Sequence, residues 1–165
     1  MLAVISFAIL ITYIIYYTKK CGLLGSHSES YYALKNQGWL FPLSLALTAF
    51  TLLIAVLEVT PEPLKFTAFL TCAPVMLTAF AYKYRSGGLE GKVHFRSAKF
   101  GGVLSFIWAV WMAYSFTWWL LAVVGVLGLL FYLLNKKFDQ PVLFLEYWVF
   151  SYPYAILLII KFCKL

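Results

Sequence analysis

A short polar stretch, SHSESYY at residues 26–32, interrupts two apolar runs and carries side chains that could do chemistry. Ser26 and Glu29 have the S-x-x-E spacing of a capping box, in which each side chain bonds a free backbone amide at the start of a helix. We therefore predict a short helix over residues 28–36, ending near Gly38 and lying at the membrane interface. The alternative is that the stretch forms a polar lip over a cytoplasm-facing cavity.

Glu90 and His94 form a second candidate pair, because residues four apart share one face of a helix. Such a pair can bind a metal, relay a proton or form a hydrogen-bonded ion pair. A zinc site needs at least three protein ligands, so this pair alone is an incomplete metal site. The residues that could complete it are His27, Glu29, Asp139 and Glu146. Nothing in the spacing requires them to do so, and we expect no cofactor.

Glu146 lies about one turn into the last apolar run, where an ionisable group needs a partner, a proton or water. Arginine and lysine side chains together with hydroxyls suit an anionic group. We therefore predict a polar, basic pocket that faces the cytoplasm. Its candidate ligand-binding residues are Ser28, Tyr31, His94, Arg96, Lys99 and Glu146.

The composition places these residues in a membrane protein. Of the 165 residues, 64% are hydrophobic and only 12% are charged, whereas a soluble domain has roughly 25% charged residues. Continuous apolar runs favour helices over a β-barrel, whose strands alternate. We predict one all-α domain, a bundle of about six transmembrane helices with a short interfacial helix after the first. The predicted spans are 2–17, 39–59, 64–82, 100–115, 116–134 and 142–162, the fourth and fifth joined by a tight turn near residues 114–117.

The basic residues predict the orientation, since lysine and arginine favour the cytoplasmic side. With the N-terminus outside, the inner segments hold Lys19, Lys20, Lys35, Lys83, Arg85, Lys92, Arg96, Lys99, Lys136 and Lys137, and the outer segments hold Lys65, Lys161 and Lys164. Both termini then lie outside the cytoplasm. Anionic lipid headgroups at the cytoplasmic face account for the net charge of +7, so lipids are the expected partners and nucleic acid is not.

Three short motifs carry a family resemblance. They are Ser26, Ser28, Ser30, Tyr31 and Tyr32 after the first span, Gly38–Phe41 before the second, and Val93, His94 and Ala98 before a later one. This pattern resembles small uncharacterised polytopic membrane proteins of Bacteroidetes. The resemblance implies a bacterial inner-membrane location and no particular activity.

Three functions remain open on the sequence alone. The first is a membrane protein whose pocket binds or passes a small anionic solute, ion or lipid headgroup. The second is a subunit of a larger assembly or a homo-oligomer, for which the small residues Ser97, Gly101 and Ser105 at four-residue spacing are the only indication. The third is an enzyme that uses Glu90, His94 and Glu146 for acid–base or metal chemistry. We rank them in that order.

Overall fold

The computed structural model describes residues 1–163, among which there are α-helices and 3₁₀ turns and no strand. The α-helices are α1 (Leu2–Cys21), α2 (Ser30–Ala33), α3 (Leu40–Val59), α4 (Lys65–Phe80), α5 (Leu89–Ser115), α6 (Trp119–Phe138) and α7 (Pro141–Cys163). The predicted all-α class is confirmed. Lys164, one of the three outer lysines in the predicted orientation, lies outside the described residues.

Five of the helices, α1, α3, α4, α6 and α7, are long and apolar enough to cross a membrane. α5 is the longest helix, with 27 residues, but its first three turns hold Glu90, Lys92, Arg96 and Lys99. These charged turns extend the helix before its apolar part begins at Phe100. Large apolar side chains such as Phe80, Val126 and Phe162 are 71%, 67% and 83% exposed on the outside of the bundle.

The predicted break between the fourth and fifth apolar runs is confirmed, because α5 ends at Ser115 and α6 begins at Trp119. The first helix is longer than predicted and continues past Tyr17 to Cys21. Its last turn contains Lys19 and Lys20, whose positive charges interact favourably with the helix C-terminus.

Neighbouring long helices pack in the order α1, α3, α4 and α5, while α6 packs mainly on α7. The α4–α5 contact uses the predicted ridge of small residues. Ser97, Gly101 and Ser105 are all buried, and a Cβ at Gly101 would lie 3.4 Å from the Cβ of Pro74. The ridge therefore serves close packing within this chain, since small residues let two helix backbones approach.

Buried polar groups from different parts of the chain are joined by hydrogen bonds. The Ser6 hydroxyl bonds the Tyr154 hydroxyl at 2.7 Å and donates to the Thr48 carbonyl at 2.8 Å. The Trp108 indole donates to the Thr60 hydroxyl at 2.9 Å. Such bonds join the helices and satisfy polar groups that are buried inside the bundle.

The capping-box prediction is wrong. The Ser26 side chain makes no cap hydrogen bond, and Glu29 Oε2 accepts from the Gly25 N–H at 2.8 Å instead of from Ser26. The predicted helix is also divided into a 3₁₀ turn at His27–Glu29, the four-residue α2 and a second 3₁₀ turn at Lys35–Gln37. Lys35 has φ 50°, a left-handed backbone conformation that ends α2.

Candidate functional site

Three connections meet at one end of the bundle, which we call the basic end. They are the segment 22–39 between α1 and α3, the residues 81–88 between α4 and α5, and the short link 139–140 between α6 and α7. The first two touch, because the Arg85 N–H donates to the Tyr32 hydroxyl at 2.9 Å. The first also contacts α7, because the His27 N–H donates to Glu146 Oε2 at 2.6 Å.

His27 lies at the centre of the basic end, with only 2% of its surface exposed. Four aromatic rings surround its imidazole, those of Tyr13, Tyr17, Phe41 and Phe150, with centroid distances of 5.3, 5.4, 5.7 and 6.0 Å. These rings come from α1, α3 and α7. The imidazole therefore anchors the segment 22–39 to three long helices at once.

The His27 imidazole is electrically neutral at physiological pH, because burial lowers its pKa to about 4. Its Nδ1 lies 3.4 Å from the Tyr17 hydroxyl. Its Nε2 is buried and has no hydrogen-bond partner among the described residues. An imidazole in this state packs as an aromatic ring and carries no positive charge into the site.

A chain of hydrogen bonds extends from His27 to its neighbours. The Ser30 hydroxyl donates to the His27 carbonyl at 2.6 Å and also bonds the Tyr13 hydroxyl at 2.6 Å. The hydroxyls of Tyr17 and Tyr147 bond each other at 2.5 Å. Together with the contact to Glu146, these bonds fix the position of the polar turn against both α1 and α7. Apolar packing alone is less directional and would specify that position less strictly.

His94 sits on the other side of the basic end and is 3% exposed. Its Nδ1 lies 3.0 Å from the Ala81 carbonyl and 3.2 Å from the Thr78 carbonyl, so it donates to the C-terminal turn of α4. The ring stacks on Tyr84 with centroids 4.8 Å apart. In residues 1–163, no group of three or more His, Cys, Asp or Glu side chains is arranged to hold a metal ion, so His94 and Glu90 are not completed by a third ligand there.

The six predicted ligand-binding residues occupy different settings. Ser28 is buried in the turn that Glu146 holds through the neighbouring amide. The Tyr31 ring packs on Tyr82 at 4.8 Å. Arg96 and Lys99 are exposed on α5 and make no hydrogen bond or ion pair with other described side chains. That all six line one pocket stays a prediction.

No family model, curated protein or solved structure matches this chain.

The two ends of the bundle differ in how their charges are paired. The basic end holds ten basic and four acidic residues, a formal net charge of +6. Among the described residues, Arg85 is the only one of the ten in an ion pair, with Glu29 at 3.4 Å. At the opposite end, Lys161 pairs with Glu58 at 2.7 Å and Lys65 pairs with Glu62.

Several of the unpaired lysines at the basic end lie over aromatic rings. The ammonium groups are 4.9 to 5.6 Å from the ring centroids, and the pairs are Lys20 with Tyr16, Lys83 with Tyr82, Lys136 with Tyr132 and Lys137 with Phe138. Cations on aromatic faces at a bilayer surface are typical of interfacial anchoring. These contacts do not neutralise the ammonium groups, since the rings carry no formal charge.

Two grooves open on the outside of the basic end. One, of about 530 Å³, lies between the end of α4 and the start of α5, and its walls include Leu77, Phe80 and Val93. The other, of about 280 Å³, lies between the end of α6 and the start of α7, and its walls include Phe131, Asn135 and Trp148.

Reasoning from the sequence missed two residues that organise the basic end, Tyr17 and Tyr147, and it named His27 only as a possible metal ligand. One signal was present, because Tyr13 and Tyr17 are four apart on α1 and therefore share a face. The two hydroxyls on that face need hydrogen-bond partners, and these are Ser30 for Tyr13 and Tyr147, from the last apolar run, for Tyr17. The central position of His27 had no sequence signal, since a histidine between two serines in a loop looks solvent-exposed.

Proposed function

We propose that this chain is an integral membrane protein with six transmembrane helices, whose cytoplasmic end binds anionic groups. The five long apolar helices supply five of the spans. The apolar part of α5 after Lys99 supplies the sixth, while its charged first turns lie at the bilayer surface. Both Met1 and Cys163 then lie on the side away from the cytoplasm.

The observation that carries the proposal is the excess of unpaired cations at the basic end. Nine of its ten basic residues form no ion pair among the described residues, while the described lysines of the opposite end are both paired. Unpaired lysine and arginine at a membrane surface attract anionic lipids by about 1 kcal/mol each. The same asymmetry supports a cytoplasmic location for this end, since lysine and arginine favour the cytoplasmic side of a membrane.

Arg96 and Lys99 are the cations best placed to contact a ligand directly. They are three residues apart on the exposed side of α5, so their side chains project from one face. Arginine binds phosphate in a bidentate manner and lysine adds a point charge. A phosphate from a lipid headgroup or from a small solute satisfies this pair equally well.

Native mass spectrometry of the detergent-purified protein tests the proposal. The protein is mixed with equal amounts of phosphatidylglycerol and phosphatidylcholine of the same acyl chains, and in a separate arm with inorganic phosphate. We expect retained phosphatidylglycerol to exceed phosphatidylcholine and the excess to fall at high salt. Retention in the phosphate arm instead would identify a soluble anion as the ligand.

The double variant R96Q/K99Q should reduce the preference by about fivefold for each charge removed. Lys65→Gln at the opposite end is the matched control and should leave it unchanged. A wild-type protein that retains neither anion in preference to phosphatidylcholine would overturn the proposal.

A further inference from the structure

The groove between α6 and α7 combines aromatic walls with a polar group that has no partner in the part of the chain that the structure describes. Phe131, Tyr132, Phe144, Leu145 and Trp148 form its walls, and Asn135 lines it from α6. Trp148, which also lines it, is held in place, because its indole donates to the Val124 carbonyl at 3.0 Å and lies against Gly128. The groove is therefore a fixed feature of the α6–α7 contact.

The Asn135 side chain is the feature that points to a ligand. Its Oδ1 is buried and has no hydrogen-bond partner among the described residues. A buried polar atom of this kind costs about 1–3 kcal/mol unless it is satisfied. Because the Oδ1 is buried in the present side-chain conformation, a ligand hydroxyl in the groove bonds it after rotation of the amide. A hydroxyl can then either donate to Oδ1 or accept from Nδ2.

The charge at the rim of the groove determines which kind of hydroxyl-bearing ligand it favours. Lys136 lies over the ring of Tyr132, 5.0 Å from its centroid, and Tyr132 is itself a wall of the groove. Lys137 follows it in the last turn of α6. Neither lysine has an ion-pair partner in residues 1–163, and Asp139 is the only acidic residue in the link to α7. The rim of the groove is therefore complementary to an anion.

We infer that this groove binds one anionic phospholipid whose headgroup carries a free hydroxyl, as in phosphatidylglycerol. The phosphate lies against Lys136, the headgroup hydroxyl bonds Asn135, and an acyl chain follows the aromatic wall toward Trp148. The inference rests on the proposed function, since it adds to Arg96 and Lys99 a second place of anion binding at the basic end and names the lipid class bound there.

The test compares two anionic lipids that differ in one respect. Phosphatidylglycerol has headgroup hydroxyls, whereas phosphatidylmethanol with the same acyl chains has the same charge and no headgroup hydroxyl. In native mass spectrometry of the full-length protein with both lipids at equal concentration, we expect phosphatidylglycerol to be retained about fivefold more, the ratio that corresponds to one net hydrogen bond.

Asn135→Leu should bring this ratio close to one while the preference for both anionic lipids over phosphatidylcholine persists. Asn36→Leu is the matched control, because Asn36 is an exposed asparagine at the same end of the bundle. Asn135→Asp preserves the side-chain shape but adds a negative charge, and it should reduce retention of both anionic lipids. Thermal unfolding of each variant in the same detergent verifies that it is folded.

Two outcomes separate this inference from the proposed function. A wild-type ratio near one, or a ratio that Asn135→Leu leaves unchanged, overturns the assignment of the groove but leaves the anion preference of the basic end intact. Loss of any preference for anionic lipid in the wild-type protein overturns both.

Discussion

The carboxylate of Glu146 accepts a hydrogen bond from the backbone N–H of His27 at 2.6 Å, across a separation of 119 residues. One side chain of the last long helix thus holds the polar turn that follows the first. A lone carboxylate near the start of an apolar helix, such as that of Glu146, needs a partner. Its partner here is a main-chain amide and not a lysine. The cations of the basic end therefore remain free of it.

Glu146→Leu should lower the free energy of unfolding by about 1–3 kcal/mol, because it leaves the buried His27 amide unsatisfied. Glu146→Gln retains an acceptor oxygen and should lose less. The measurement is thermal or denaturant unfolding of the purified protein in one detergent. Glu90→Leu, at the same end but without a hydrogen-bond partner among the described residues, is the control and should change stability by less than about 0.5 kcal/mol. Equal losses for Glu146→Leu and Glu90→Leu would contradict the role given to Glu146.

Acid should destabilise the protein through His27. Its pKa is about 4 in the folded protein against an ordinary value of 6.5, so between these values the unfolded chain binds more protons than the folded one. The contribution of His27 to stability is therefore fully present at a pH above its ordinary pKa of 6.5. It is lost as the pH falls toward its pKa of about 4 in the folded protein. The loss attributable to His27 should be about 3 kcal/mol.

His27→Phe isolates this effect, because a phenyl ring fits the same set of four aromatic neighbours and does not titrate. We expect the melting temperature of the variant to fall less steeply between about pH 7 and about pH 5 than that of the wild type. Other titrating groups contribute equally to both proteins, so the difference between the two curves reports His27. If the melting temperatures of the two proteins fell in parallel with pH, unfolding would involve no proton uptake by His27, which would contradict its lowered pKa in the folded protein.

Hydropathy and charge were sufficient to predict where the apolar helices lie and that basic residues gather in alternate connections. They did not predict that α5 begins at Leu89, eleven residues before the predicted span, because its first turns are charged. The break near Ser115 was predictable because a single apolar run there would be too long for one span. The capping box failed for a local reason, since Glu29 finds the Gly25 amide one residue earlier than the motif requires. Contacts such as the one between Glu146 and His27 depend on how helices far apart in sequence pack, which periodicity does not encode.

Gly38, the first residue of the motif Gly38–Phe41, is required by a close backbone contact that the sequence does not reveal. A Cβ at this position would lie 2.1 Å from the backbone carbonyl oxygen of Tyr31. Gly38→Ala should therefore cost about 1–3 kcal/mol, because the segment 22–39 has to shift to relieve the overlap. Gly88→Ala is the matched control, since no neighbouring atom lies within 4 Å of its Cβ position, and it should be nearly neutral in the same unfolding experiment. A neutral Gly38→Ala would mean that the segment is not held where the structure places it.

Two of the three native cysteines, Cys21 and Cys163, allow a test of the orientation proposed for the chain in the membrane. Cys21 ends α1 at the basic end and is partly exposed, Cys163 ends α7 at the opposite end and is exposed, and Cys72 is buried. A membrane-impermeant maleimide should label Cys163 in intact cells stripped of any outer barrier, and should label Cys21 only in inverted membrane vesicles. Cys21→Ser and Cys163→Ser assign each signal, and detergent-solubilised protein shows that both thiols react when accessible. Labelling of both from one side would place the two helix ends on the same face of the bilayer and would contradict the antiparallel arrangement of α1 and α7, whereas reversed labelling would retain the bundle and place the basic end outside the cytoplasm.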